Sequence, residues 1–139
     1  MYISNILISG FRSFKNHEVE FIDGVNVIIG HNNSGKTNLL KALALVIDHK
    51  GKMRLGIDDF YKGYSLQELQ AKPPEVKIAV TLKQSANEDT HSEDLALVGD
   101  WLTSLGSPYE AKLTYSWSLP GKYHEAFVNE ASTLSGSDD

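Results

Sequence analysis

V-N-V-I-I-G-H-N-N-S-G-K-T-N, running from Val25 to Asn38, is the stretch on which the reading of this chain turns. It fits the pattern G-x-x-x-x-G-K-[ST], with Gly30, Gly35, Lys36 and Thr37 at the fixed places. An apolar segment precedes it and helical periodicity follows, which is the setting the motif needs. Glycines let the backbone fold tightly enough for successive N–H groups to converge on one point. The following helix aims its positive end at the same spot, and a lysine adds full charge. Such a loop cradles the phosphates of a nucleoside triphosphate, and Thr37 would place its hydroxyl on the magnesium ion that bridges the outer phosphates. The competing reading is a glycine-bearing turn between strand and helix whose lysine is merely solvated.

Upstream, Tyr2 to Ser9 sets Ile6 and Ile8 on one side and Ile3 and Leu7 on the other, which predicts a strand covered on both faces. Gly10 interrupts it, and Phe11-Arg12-Ser13-Phe14 is a turn with two aromatic anchors and one cation. His17 to Ile22 alternates as a half-exposed strand does, and Asp23-Gly24 predicts a hairpin into a strand over Val25 to Ile29.

Downstream, Leu39, Leu40, Leu43, Val46 and Ile47 recur at helical spacing, predicting a helix that ends near His49 with those residues on its buried stripe. Lys50, Lys52 and Arg54 form either a solvated turn or a nucleic-acid contact. Asp58-Asp59-Phe60-Tyr61 either lies near the nucleotide or packs as a loop. Ser65 and Glu68 have capping-box spacing, so a short helix over Leu66 to Ala71 is expected before Pro73-Pro74. Glu75 to Lys83 and Glu110 to Leu119 alternate cleanly and are expected to pair, with polar Gln84 to Thr90 as a surface loop. Between them Ser92 would cap a helix with Leu95, Val98, Leu102 and Leu105 on one face, ended by Gly106. Ser132 to Asp139 is too polar to pack. The expected organisation is one lobe over residues 1–131, with the phosphate loop at 30–37, and a disordered tail over 132–139.

Composition narrows the class. A chain of 139 residues with 41% hydrophobic and 22% charged residues is a globular domain of one core. The net charge of −5 argues against a generally basic nucleic-acid coat, and the lack of cysteine removes disulfides and thiolate metal sites. Without an apolar leader at its start and with no long apolar run, the chain is expected in the cytoplasm and not in a membrane. His17, His31, His49, His91 and His124 show no ligand spacing, and Glu88, Asp89, Glu93 and Asp94 form an acidic run of the kind a solvated face carries.

I-S-N-I-L-I-S-G-F-R-S-F before the loop and G-K-T-N-L-L-K-A-L after it resemble the N-terminal lobe of ABC-type ATPases of the RecF and SMC kind. More narrowly, V-I-I-G-H-N-N-S-G-K-T-N looks like the OLD family (overcoming lysogenisation defect), whose members join such an ATPase to a Toprim nuclease. The double Asn32-Asn33 carries this narrower likeness, because RecF and SMC relatives more often have glycine where Asn33 stands. The resemblance implies a mixed α/β fold, an ABC-type lobe of mostly antiparallel strands packed on the phosphate-loop helix. It makes Asn32, Asn33, Ser34, Gly35, Lys36, Thr37 and Asn38, with Gly30, the nucleotide cradle for ATP and Mg2+. It also assigns Arg12 a phosphate contact, the alternative being a surface cation beside two core phenylalanines. It further implies a homodimer with ATP sandwiched between lobes, DNA as a partner, and a possible partner protein.

The resemblance also says what to look for and not find. ATP hydrolysis in this class needs a magnesium-holding carboxylate at the end of an apolar strand, with an adjacent acid. Leu43 to Asp48 has the right letters but lies on the helix leaving the loop, and Leu95 to Asp100 has helical period. Leu134-Ser135-Gly136-Ser137 only faintly matches the family's L-S-G-G signature. The expectation is therefore the ATP-binding half of an ATPase, with no catalytic residue assigned in these residues. Two other classes stay open: a self-contained phosphotransferase or GTPase, for which N-K-x-D is absent, and a non-catalytic interaction domain with a vestigial loop.

Overall fold

The computed structural model describes residues 1–31, 35–48, 54–86 and 92–133. Its centre is a four-stranded antiparallel sheet: β1 (Tyr2–Phe11), β2 (Phe14–Glu20), β3 (Val76–Lys83) and β4 (Glu110–Trp117), in the order β2-β1-β3-β4. One face packs on α1 (Lys36–Ile47). Ile6 lies opposite Val80 and Ile8 opposite Ile78 across the β1–β3 ladder, and all four side chains are fully or almost fully buried. Together with Val76, Phe11 and the α1 residues Leu39, Ala42 and Leu45 they form the core. This is the mixed α/β, mainly antiparallel architecture expected from the sequence, with the motif helix laid on the sheet.

Particular elements also match. β3 and β4 pair in register from Val76–Trp117 to Lys83–Glu110. The short helix α2 (Leu66–Ala71) starts with the expected capping box: Glu68 N–H donates to Ser65 Oγ at 3.2 Å, and Ser65 N–H donates to the Glu68 carboxylate at 2.8 Å.

Other expectations are corrected. Val25 to Ile29 forms no strand, and Val25, Val27 and Ile29 are 76–89% exposed. The reason lies in the turn before it. The backbone N–H and C=O of Ile22, which a hairpin ladder would use, are both taken by the Asn26 carboxamide at 2.9 Å, while Asp23 Oδ2 accepts the N–H of Ala86. Polar side chains close this turn, so the segment after it leaves β2 instead of pairing with it.

The buried stripe of α1 is also rotated from the expected one. Leu39, Ala42 and Leu45 face the sheet and Leu43 and Val46 flank them, whereas Leu40 and Ile47 are 60% and 50% exposed. Apolar residues surround this helix on most sides, so periodicity alone does not choose the buried face. α1 ends at Ile47, with the Asp48 N–H on the carbonyl of Ala44; His49, Lys50 and Lys52 lie outside the described residues.

β1 is sealed on the Ile6–Ile8 face only, as Leu7 on the other face is 38% exposed. The expected long helix from Ser92 divides into α3 (Ser92–Val98) and a 3-10 turn over Gly99–Trp101, after which Leu102 bridges Ala111 beside β4. Leu105 is consequently 92% exposed rather than on a helical face. α4 (His124–Thr133) occupies a stretch with no predicted element and takes in Ser132 and Thr133, the first residues of the expected tail. Its Ala131 is buried and its carbonyl accepts Gln70 Nε2 of α2 at 3.1 Å, so tertiary docking orders a polar segment. Residues 134–139, with the signature-like Leu134 to Ser137, and most of the Gln84 to Thr90 loop lie outside the described residues. Among the described residues no helix is long and apolar enough to cross a membrane.

Candidate functional site

Three segments meet at the amino end of α1. The first is the β1–β2 turn, Arg12-Ser13; the second is the first turn of α1; the third is the 3-10 turn over Ile57–Asp59. Chain geometry at Gly10 makes the meeting possible. Gly10 has φ +71°, its carbonyl accepts the N–H of Tyr61, and Phe11 forms a bridge to Phe60. Phe60 in turn stacks edge-on against Trp117 of β4, anchoring the Asp59 segment to the sheet.

Arg12 sits at φ +48°, an uncommon conformation for a residue with a side chain. Its backbone N–H donates to the carbonyl of Asp59 at 2.7 Å. Its guanidinium donates to Asp59 Oδ1 through Nε at 2.9 Å and Nη2 at 2.7 Å, and to Asn38 Oδ1 through Nη1 at 3.2 Å. Asn38 Nδ2 then donates to Ser13 Oγ at 3.1 Å, closing the ring of contacts. Arg12, expected to lie near the loop, is thus brought against the first turn of the helix that follows it.

Asp59 is held on both oxygens, because Oδ2 accepts the N–H of Gly56 at 2.8 Å. Partial burial pushes its carboxyl up, but the Gly56 N–H and the Arg12 guanidinium outweigh that and hold it below the usual carboxylate range. A depressed folded value means that the stability from this group is fully present above the ordinary carboxylate range, near ~4, and is lost as pH falls through the folded value. Asp59→Asn should cost about 2 kcal/mol at pH 7. Chemical denaturation from pH 7 to 3 should show the gap to wild type narrowing below about pH 4; a constant gap would contradict this assignment.

The amino end of α1 suits an anion. Its N-cap, Gly35, has φ +96° and no side-chain cap, and the first turn, Lys36-Thr37-Asn38, holds no acidic residue. A methyl group at Gly35 would lie 3.3 Å from Ser13 Oγ and 3.5 Å from Phe14 Cζ, so the β1–β2 turn closes over the loop here. The Lys36 ammonium curls back to the carbonyl of Gly30, spanning the motif from its fixed lysine to its first glycine. Thr37 is exposed on the first turn of α1. Gly30 and His31, the first two residues of the motif, are exposed; Asn32, Asn33 and Ser34 lie outside the described residues. Asp48 stands twelve residues beyond Lys36, about 18 Å along the helix axis, as expected of an acid carried away from the loop.

Asp59 and Ser13 are the site neighbours that sequence reasoning did not assign. The signal for Asp59 was the acidic pair beside Phe60-Tyr61, which named the segment without choosing between a site and a loop. Ser13 carries no signal beyond its place after Arg12.

The AAA ATPase domain model matches residues 1–98. The chain is 31% identical over 125 residues to the DNA replication and repair protein RecF of Listeria welshimeri, an alignment covering 81% of this chain and 33% of that protein. It is 44% identical over 48 residues to the structural maintenance of chromosomes protein 3 homolog of Plasmodium falciparum, covering 34% of this chain and 4% of that protein. A solved SMC ATPase, described for ATP-driven dimerization and DNA-stimulated activation, is 18% identical with a TM-score of 0.48, covering 98% of this chain and 82% of that one. The chain spans about a third of the length of the RecF relatives it matches. With the family model covering 98 of 139 residues and starting at Met1, ahead of the phosphate-loop motif, the chain belongs to the AAA ATPase domain family.

Proposed function

We propose that these residues are the Mg-ATP-binding half of an ATPase of the RecF and SMC kind, on the OLD-like branch, which in the full-length protein regulates DNA processing or nuclease action in the cytoplasm. The observation that carries this reading is the contact of Arg12 with Asn38 at the uncapped end of α1, which sets a guanidinium beside the helix amino terminus that Lys36 opens. Backbone N–H groups of the first turn and the helix dipole supply partial charge, Lys36 supplies a mobile full charge, and Arg12 supplies a planar fork suited to phosphate oxygens. Thr37 offers a single hydroxyl to the metal. Magnesium usually keeps waters and phosphate oxygens as its other ligands, so one protein oxygen fits its habit. When bound, the ion neutralises charge on the outer phosphates.

The RecF name brings DNA as the partner for this chain, and the Asn32-Asn33 pair supports the OLD branch. Acidic groups for hydrolysis belong to the rest of the protein on this reading. ATP would be closed between two lobes of a homodimer, with binding favouring the dimer and hydrolysis releasing it. A thermal-shift panel tests this function. Millimolar Mg-ATP should stabilise the chain measurably, Mg-GTP should stabilise it no more, and turnover should be negligible. A guanine preference of orders of magnitude would instead indicate a GTPase, and no shift with any nucleotide would indicate a vestigial loop.

A further inference from the structure

The ion pair beside the loop raises a question that the motif does not answer. Arg12 can serve a phosphate only if its guanidinium is presented in one orientation, yet arginine has several rotatable bonds and sits on a turn between two strands. Two roles for Asp59 are then possible in chemical terms. It could neutralise Arg12 and compete with the phosphate, or it could fix the guanidinium and leave an edge of it for the phosphate.

The geometry points to the second, and we infer that Asp59 is a positioning residue that holds Arg12 against the amino end of α1 for a triphosphate ligand; this rests on the nucleotide-binding reading above. One carboxylate oxygen receives Nε and Nη2, the side edge of the guanidinium, at 2.9 and 2.7 Å. Nη1 reaches Asn38, on the first turn of α1, at 3.2 Å. An arginine has five N–H donors, so two remain, one each on Nη1 and Nη2. Among the described residues these two meet no acceptor, and the side chain keeps 25% of its surface exposed.

Asp59 is itself built to stay in place. Its second oxygen is pinned by the Gly56 N–H, its own N–H donates to the Gly56 carbonyl at 3.0 Å, and its carbonyl accepts the Arg12 backbone N–H at 2.7 Å. A competitor released by each ligand would have to break the side-chain contact to Arg12 while three other bonds held it still. A positioning group needs no such movement. Retaining the carboxylate also lowers the net charge of the cluster around Arg12.

Calorimetry with Mg-ATP on the whole chain tests the inference. Asp59→Asn keeps the shape and one acceptor but loses the charge, and should weaken binding about tenfold. Combining it with Arg12→Ala should add little beyond Arg12→Ala alone, because both remove one presented guanidinium. Arg12→Lys, which keeps the charge but not the fork, should lose about the same tenfold; it also serves if Asp59→Asn does not fold. A purely structural role would lower the unliganded melting temperature in both variants and leave affinity unchanged. Unchanged or tighter binding in either variant, with wild-type binding still dependent on Lys36, overturns the inference. If wild-type binding does not depend on Lys36, it is the nucleotide-binding reading that fails.

Discussion

Alanine at Lys36 is expected to weaken Mg-ATP binding at least about a hundredfold, which corresponds to about 2.7 kcal/mol. The estimate follows from charge. A lysine ammonium within contact distance of a phosphate at a protein surface interacts with a Coulomb energy of about 4 kcal/mol at an effective dielectric near 20, of which partial desolvation returns some. In the protein alone the same ammonium rests on the carbonyl of Gly30, and the residue is half-exposed. Losing that contact should cost less than about 1 kcal/mol of folding stability. The two effects therefore separate: titration calorimetry should lose its signal while the melting temperature of the unliganded chain moves by only a few degrees. Equal affinity for wild type and variant would remove the central claim.

The second large effect concerns folding rather than binding. Gly10→Ala should destabilise the chain by roughly 4 kcal/mol or prevent folding. Gly10 lies at φ +71°, and a methyl group there would sit 1.9 Å from the carbonyl oxygen of Glu75 and 2.9 Å from the Tyr64 hydroxyl. A conformational penalty of about 1–2 kcal/mol is unavoidable for a side chain at that φ. The clash adds the rest, because the nearest obstacle is backbone just before β3 and cannot rotate away. Relief would require Gly10 to shift, and its carbonyl holds the N–H of Tyr61, two residues from Asp59. Damage would thus spread to the segment that carries the Arg12 partner. Urea denaturation measures the loss; a change below about 1 kcal/mol would show that the close approach is not required.

Particular elements show how much was legible beforehand. The capping box of Ser65 and Glu68 and the alternation of β3 and β4 are short-range signals, written in residues two or three apart, and they appear as expected. The docking of α4 was weakly marked. Phe127, Val128 and Ala131 have the spacing of one helical face, but they are diluted among polar residues, and the helix is settled by its contact with α2. Of the proposed site, Gly30, Gly35, Lys36 and Thr37 were legible as a motif because its pattern is local and of fixed spacing. The Arg12 contact with Asp59 was not, since 47 residues separate them and only the β1–β2 turn meeting the 3-10 turn closes that distance.

Sequence alone determined the motif and the local signals of the capping box and the two alternating strands, because each depends on hydrogen-bond geometry and side-chain periodicity within a few residues. Tertiary structure decided which face of α1 is buried, why Val25 to Ile29 leaves the sheet, and which carboxylate holds Arg12. All three are choices between locally equivalent options. Leu40 is as apolar as Leu39, Val25 to Ile29 is as strand-like as β3, and Asp58 is the same residue type as Asp59. What separates the members of each pair is the partner that the fold brings within reach: the sheet for Leu39, the Ala86 N–H that holds Asp23 in the turn before Val25, and the Arg12 guanidinium for Asp59.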